Sequence, residues 1–497
     1  MRVTIASRRS DLARIQAYQV GEALESAHPQ IEIDYSFHES LGDRNQNDPL
    51  WQMPEKGVFT QDFREGLLRG DFDLVVHSWK DLAIEEDPKT EIAATLRRAD
   101  ARDLLLVRED RWPEVERTGV MTILTSSPRR SYNLESFLHE ALPAKLRELN
   151  FASVRGNVPT RVRKLLESDV DGLIVAKAAI DRLLEAKQSE FVATCEELRG
   201  ALSRCRWIVL PLRENPSAPA QGALAVEIVR RRSDLRELLA PLNCADTFAA
   251  VSREREILRG YGGGCHQKIG ASVLRRSFGE ITFVRGLTDN GQVLDTQSLS
   301  ASRPPPPRVS REELWPLNSS ESDYFSREAI PVKPADDAPA LWIAKADALP
   351  DDWCPGTGQV IWSSGVQTWK RLAQRGIWVH GSAESLGEQE SPNLETLAGS
   401  KLTWLKLTHA GGYNEGSLPA LATYRLVAKN GGVDLKGKTY FFWKSGSSFE
   451  RALSLDPWIK EMTHFCGPGN TQRLLEKNGV QAHVFLDHAQ WLKEMSL

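Results

Sequence analysis

Through the first 240 residues, short apolar runs alternate with stretches whose apolar positions recur at helical spacing. That alternation predicts strands and helices in turn, and so an α/β fold with helices covering the sheets. Arg2-Val3-Thr4-Ile5-Ala6 has period two and predicts a strand. Ser10 then stands in a helix-cap position, and Ala13, Ala17, Val20 and Leu24 share one helical face. Phe72 to Val76 predicts a buried strand ending in His77-Ser78-Trp79-Lys80-Asp81, which puts a charged pair where α/β sheets present ligand groups. Thr122-Ile123-Leu124 leads into Thr125-Ser126-Ser127-Pro128-Arg129-Arg130, a strand followed by a proline-started helix. The arrangement recurs at Val154-Arg155-Gly156-Asn157-Val158-Pro159-Thr160-Arg161. In both places arginines fall in or near a first turn, where the helix dipole favours acids.

Further along, a patterned helix from about Thr247 to Arg259 runs into Gly262-Gly263-Gly264-Cys265-His266-Gln267-Lys268-Ile269-Gly270. Glycine removes side-chain bulk and tolerates unusual backbone angles, so a bulky group can reach this thiol. On the loop alone, an attachment point and an ordinary turn cysteine remain alternatives. Asp289-Asn290-Gly291, between Ile281–Val284 and Gln292–Leu294, predicts a hairpin and a small α+β domain. Arg303-Pro304-Pro305-Pro306-Pro307-Arg308 is stiff, and a proline- and alanine-rich stretch from Pro331 to Pro339 predicts a domain boundary near residue 335.

Composition narrows the function. A chain of 497 residues, 41% hydrophobic and 26% charged, has room for three or four domains. A net charge of −4 argues against a general nucleic-acid binder. The six cysteines form no Cys-x-x-Cys pair, so neither a metal site nor a disulfide framework is expected. There is no signal-peptide pattern and no apolar run long enough for a bilayer, so a cytoplasmic protein without membrane partners is expected. Repeated arginines near helix starts suit a ligand with several carboxylates, because backbone N–H groups and guanidinium forks both address anions. Phosphate competes as the ligand, but no phosphate-binding glycine loop accompanies them.

Taken in order, eight segments resemble the porphobilinogen deaminase (hydroxymethylbilane synthase) family over roughly residues 1 to 330. They are Ala6-Ser7-Arg8-Arg9-Ser10, Leu41-Gly42-Asp43, Lys56-Gly57-Val58-Phe59, His77-Ser78-Trp79-Lys80-Asp81, Thr125-Ser126-Ser127-Pro128-Arg129-Arg130, Arg155-Gly156-Asn157-Val158, Ala220-Gln221-Gly222-Ala223 and Gly263-Gly264-Cys265. The resemblance implies two periplasmic-binding-protein-like α/β domains, a small α+β domain carrying the cysteine, and a further C-terminal α/β region. The boundaries it suggests are 1–97 with 220–240, then 98–219, 241–335 and 336–497.

It also implies a dipyrromethane cofactor held by a thioether to Cys265, which primes the head-to-tail joining of four porphobilinogen units into hydroxymethylbilane with loss of ammonia. Asp81 would stabilise the azafulvene cations that form as the amine leaves. A carboxylate about 4 Å from such a cation is worth roughly 4 kcal/mol at an effective dielectric near 20. The cofactor would be held by Arg8, Ser10, Asp43, Lys80, Ser127, Arg129, Arg130 and Arg155. The substrate would meet Arg8, Lys56, Phe59, Arg155, Arg161 and Gln221. Pro128, Pro159, Ala83 and Pro219-Ala220 depart from the residues usual in the family and put local loop geometry in question.

The C-terminal region contains a faint repeat. Val360-Ile361-Trp362-Ser363-Ser364-Gly365 is echoed by Phe441-Phe442-Trp443-Lys444-Ser445-Gly446, and the segment 375–380 by 478–483. It weakly resembles uroporphyrinogen-III synthase, which would close the linear tetrapyrrole to uroporphyrinogen III; the segment Leu418–Arg425 matches where that family often has a tyrosine, here Tyr424. A degenerate region with a structural or dimerisation role is the alternative. For the whole chain, a non-catalytic two-lobed anion binder competes with the transferase. His380, His409 and His483 are expected to be ordinary core or surface histidines.

Overall fold

The computed structural model describes residues 1–39, 61–85, 87–263, 267–318, 324–412, 418–429 and 433–497. Asp43, Lys56, Phe59 and Cys265 lie outside the described residues. The chain divides into two units: residues 1–139, 145–274 and 282–297 form one, and 140–144, 275–281 and 298–497 the other. Among the described residues no helix is long and apolar enough to cross a membrane.

In the first unit, a five-stranded sheet runs in the order Glu32–His38, Arg2–Arg8, Leu74–Ser78, Leu224–Val229, Thr90–Ala94. The period-two pattern splits cleanly between its faces. Val3, Ile5, Leu74 and Val76 pack with Ala17, Val20 and Leu24 of the helix Asp11–Ala27. Ala6 and Val75 pack on the other side with Phe63 and Leu67 of the helix Gln61–Arg69. Ser10 occupies the cap position of its helix, but its hydroxyl makes no capping hydrogen bond. The expected strand from Phe72 begins two residues later, at Leu74. Asp73 is instead a bracing residue, its carboxylate accepting the Thr4 N–H at 2.9 Å.

A second sheet follows the order Glu148–Ala152, Val120–Leu124, Gly172–Ala176, Asp103–Arg108, Cys205–Val209. Leu104 to Val107 are all buried, the continuous apolar run of a strand covered on both faces. The expected hairpin is present as Gly279–Leu287 and Val293–Ala301, which join Gly270–Arg276 in a three-stranded sheet. The helix preceding the cysteine loop spans Ala245–Gly260.

The chain crosses between the two five-stranded sheets twice, from Ala94 to Asp103 and from Val209 back to Leu224. The crossings lie against one another: Ala99 N–H donates to Gly222 O at 3.1 Å, and Arg98 Nε to Gln221 O at 2.9 Å. Gly222 has φ of 86°, and a Cβ there would sit 2.6 Å from Ala99 O. Only glycine fits this contact without displacing backbone.

The second unit contains two sheets. One is all parallel, in the order Leu314–Trp315, Tyr440–Trp443, Thr463–Cys466, His483–Val484. The other has six strands, Phe325–Ala329, Ala420–Ala428, Trp404–His409, Ala340–Ile343, Val360–Ser363 and Gly381–Ser382. The chain enters the four-stranded sheet, leaves it to build the six-stranded one, and returns. Strands at 314–315 and 325–329 thus belong to this unit's sheets, ahead of the boundary expected near 335. The repeat has a structural counterpart: Val360–Ser363 leads into the helix Val366–Gln374, and Tyr440–Trp443 into Gly446–Leu455. After each repeat's last helix the chain turns at a left-handed glycine, Gly376 (φ 80°) and Gly479 (φ 75°). Phe441 and Trp443 pack on one face with Trp315 and Phe449, while Phe442 packs on the other with Phe465 and Trp491.

The contact at Gly222 makes a direct prediction. Gly222→Ala should fold but lose about 1–3 kcal/mol, the usual cost of a strained backbone position, read as a lower urea midpoint; an unchanged midpoint would contradict the packing of the two crossings.

Candidate active site

The strand Leu74–Ser78 ends in a single 3₁₀ turn, Trp79–Asp81. Trp79 is buried against Phe248, ring centres 5.2 Å apart, which fixes the turn and leaves the Asp81 carboxylate exposed. Parallel pairing sets Ala6 beside Val75, so Arg8, two residues on, ends level with His77 at the same edge of the sheet. Lys80 lies within electrostatic range of Asp81, Arg129, Arg130 and Asp103. Burial pulls its ammonium below the usual lysine range, against the opposing pull of Asp81. Arg161 is likewise lowered, by burial first and then by Arg130, and it too is coupled to Asp81 and Arg155. The structure therefore gathers Lys80, Asp81, Arg129, Arg130, Arg155 and Arg161 into one neighbourhood. Arg8 and Ser10 stand at the strand edge beside it, and Ser127 is half-buried just ahead of the helix Pro128–Ala141.

The arginines in helical first turns are not left in conflict with the dipole. Arg129 and Arg130 are both buried, and a fully buried carboxylate that sequence reasoning missed, Asp103, takes one on each oxygen. Asp103 Oδ2 accepts from Arg129 Nη2 at 2.8 Å and Oδ1 from Arg130 Nη2 at 2.6 Å. Arg129 Nη1 also donates to Asn215 Oδ1 and Pro216 O, and Arg130 Nη1 to Ile174 O. Burial alone would raise the Asp103 carboxyl, but the two guanidiniums overcome it and hold it well below the usual carboxylate range. The signal for it was in the sequence, as an aspartate opening the apolar run Leu104–Val107.

Gln221 is also placed differently from a simple substrate contact. It is buried, donating to Ala101 O and Asp103 Oδ1, both at 2.8 Å, and accepting from Lys80 Nζ at 3.4 Å. It bridges Lys80 to the arginine cluster. A second missed residue is Glu254, on the apolar stripe of the helix that leads to the cysteine loop. Fully buried, it accepts both Arg98 Nη groups at 2.7 and 2.9 Å, and the backbone N–H of Ala220 and of Val273, each at 2.8 Å. One carboxylate thus ties both crossings to the helix and strand that flank Cys265.

The departures from the family pattern find local explanations. Pro128 opens its helix and Pro159 lies in a first turn, where a missing N–H costs no helical hydrogen bond. Asn157 caps the second of these helices, accepting from Thr160 N–H at 2.9 Å. Ala220 has φ of 66°, the left-handed region that glycine enters without strain, and its N–H bond to Glu254 holds it there. Ala83 O and Leu82 O both accept from Arg255.

The donor chemistry suits a primer bearing carboxylates. The cluster is cationic on balance, and Arg130 Nε is buried with no hydrogen-bond partner among the described residues. An unsatisfied buried donor costs about 1–3 kcal/mol unless a ligand meets it. Beside the cysteine loop, Gln267 Nε2 donates to Tyr261 O at 2.7 Å, while its buried Oε1 has no partner among the described residues.

Residues 3–237 match the family model described as porphobilinogen deaminase, dipyromethane cofactor binding domain. A porphobilinogen deaminase of Desulfitobacterium hafniense is 38% identical over 270 residues, covering 54% of this chain and 79% of that protein. Those of Clostridium novyi and Syntrophomonas wolfei are 31% and 33% identical, covering 59% and 61% of this chain and 91% and 90% of theirs. On this evidence the chain belongs to the porphobilinogen deaminase family.

Proposed function

We propose that this transferase carries its dipyrromethane primer on Cys265, grips the carboxylates of primer and incoming porphobilinogen with its arginine cluster, and stabilises developing cationic charge at Asp81. The observation that carries the reading is the placement of an exposed carboxylate, Asp81, in the turn after a strand and in one electrostatic neighbourhood with Lys80, Arg130, Arg155 and Arg161. Porphobilinogen is the substrate and hydroxymethylbilane the product. When bound, the primer supplies the pyrrole carbon on which the chain grows. The protein's part is positional and electrostatic. Guanidinium forks match acetate and propionate side chains, and fixing those carboxylates fixes the pyrrole carbon relative to Asp81. The carboxylate offers a counter-charge where ammonia departs and an acceptor for pyrrole N–H groups. Arg8, Ser10, Asp43, Lys80 and Ser127 complete the primer's surroundings in this reading, and Lys56 and Phe59 the substrate's.

For the C-terminal unit, one observation favours cyclisation of the released tetrapyrrole over a purely structural role. The carboxyl ends of parallel strands from both of its sheets bring Lys345 into electrostatic range of His409 and of Lys444, and Lys406 and Arg327, ion-paired to Glu388 and Asp347, also act on His409. His409 Nε2 lies 3.2 Å from Ser447 Oγ, so the end of a strand in the six-stranded sheet meets the first turn of a helix on the other. Burial, then these cations, lower the His409 imidazole below its usual value and favour the neutral ring. A cationic junction at strand ends suits a product rich in carboxylates.

Asp81→Asn should retain its urea midpoint, because the side chain is exposed, yet lose roughly 100-fold or more in turnover, the order expected for removing one preorganised charge-stabilising group; steady-state assay with porphobilinogen measures it, and near-normal turnover would remove Asp81 from its role. For the C-terminal unit, the full-length chain supplied with porphobilinogen should yield uroporphyrinogen isomer III, and a Lys345→Ala/Lys444→Ala variant should shift the product towards isomer I. Isomer I alone from the unaltered chain would refute cyclisation.

A further inference from the structure

We propose that Asp103 is a positioning residue for catalysis: it sets the orientation of the Arg129 and Arg130 guanidiniums, and so the affinity of the site for substrate and primer carboxylates, without touching either ligand itself. The inference rests on the reading of these arginines as carboxylate-binding groups.

The geometry separates Asp103 from an ordinary surface ion pair. Its side chain is fully buried, and each carboxylate oxygen accepts from a different arginine. Two further donors complete it: Asn215 Nδ2 to Oδ2 and Gln221 Nε2 to Oδ1, both at 2.8 Å. With four short hydrogen bonds from four side chains, the carboxylate is fixed in direction, and the planar guanidiniums are fixed with it. Two buried cations share one buried anion, so the cluster is short of one negative charge. In this proposal a ligand carboxylate supplies that charge; Arg130 Nε is buried and has no hydrogen-bond partner among the described residues.

Position in the chain adds the second half of the argument. Asp103 closes the first crossing between the five-stranded sheets, while Asn215 and Gln221 lie on the second. Through Gln221, which also accepts from Lys80, Asp103 is linked to the turn that presents Asp81. The arginines begin a helix of the second sheet, and Asp81 lies in the turn that follows a strand of the first. One buried carboxylate therefore registers the carboxylate grip against the charge-stabilising group, which a merely structural salt bridge would have no need to do.

The test is Asp103→Asn, which keeps shape and removes charge, beside Asp103→Glu, in the full-length chain. Asp103→Asn should raise KM for porphobilinogen at least 10-fold and reduce primer loading by intact mass, with kcat on the loaded fraction within about 3-fold of the unaltered chain. Asp103→Glu should recover part of the KM loss, because the charge returns with imperfect reach. A fall in urea midpoint with KM and primer loading unchanged would overturn the proposal and leave Asp103 a packing residue. Should Asp103→Asn fail to fold, Arg129→Lys and Arg130→Lys decide: they keep charge but lose the fork, so each should raise KM, and unchanged KM in both overturns the proposal. If instead the unaltered chain makes no hydroxymethylbilane, it is the parent reading of the site that fails.

Discussion

Two buried guanidiniums sharing one buried carboxylate form the constraint on which the first unit depends. Asp103, Arg129 and Arg130 together lie at the meeting of both crossings, the start of a helix and the start of a strand. Burying an arginine without a counter-charge is prohibitive, and burying two demands an anion held from several directions. Asn215 and Gln221 supply that hold, and both come from the returning crossing. The polar network thus depends on the path of the chain, and that path depends on contacts such as Gly222 against Ala99. Glu254 does comparable work one layer away, joining the same crossings to the elements on either side of the cysteine loop.

Much of this was legible in the sequence, for identifiable reasons. Strands with period two or with continuous apolar runs declared themselves, since covering by helices leaves few other patterns. The arginine turns were visible as charges in the wrong place for a helix dipole. What the pattern could not reveal was how that conflict is resolved, because Asp103 lies 26 positions from Arg129 and Asn215 lies 86 from it. Pairings at that distance follow from topology, not from local propensity. Its motif gives Gln221 as a substrate contact; in the fold its amide bonds to Asp103 and Lys80. Asp73, drawn into a predicted strand, is a brace between neighbouring strands, a role that periodicity does not report.

The C-terminal unit teaches the converse lesson. Its repeat was faint in sequence because only the strand–turn–helix signal and a left-handed glycine are held in common. In three dimensions the repeat becomes two separate sheets, and the chain enters and leaves the first to build the second. The three histidines expected to be ordinary divide: His380 Nδ1 accepts the Ile361 N–H at 3.0 Å within one sheet, and His483 is buried, whereas His409 stands at the junction among lysines. Parallel strands bring their carboxyl ends to one side, so even weakly patterned repeats of this kind concentrate charge there.

In the proposed function, the arginine cluster presents a covalently held pyrrole chain to Asp81, with Cys265 as its anchor. Peptide mapping by mass spectrometry of the full-length protein, before and after brief exposure to porphobilinogen, tests this most directly. The predicted result is a peptide carrying Cys265 that bears a dipyrromethane at the start and gains mass in steps of one pyrrole unit. An unmodified Cys265 peptide in protein that turns over porphobilinogen, or growth on any other peptide, would contradict it.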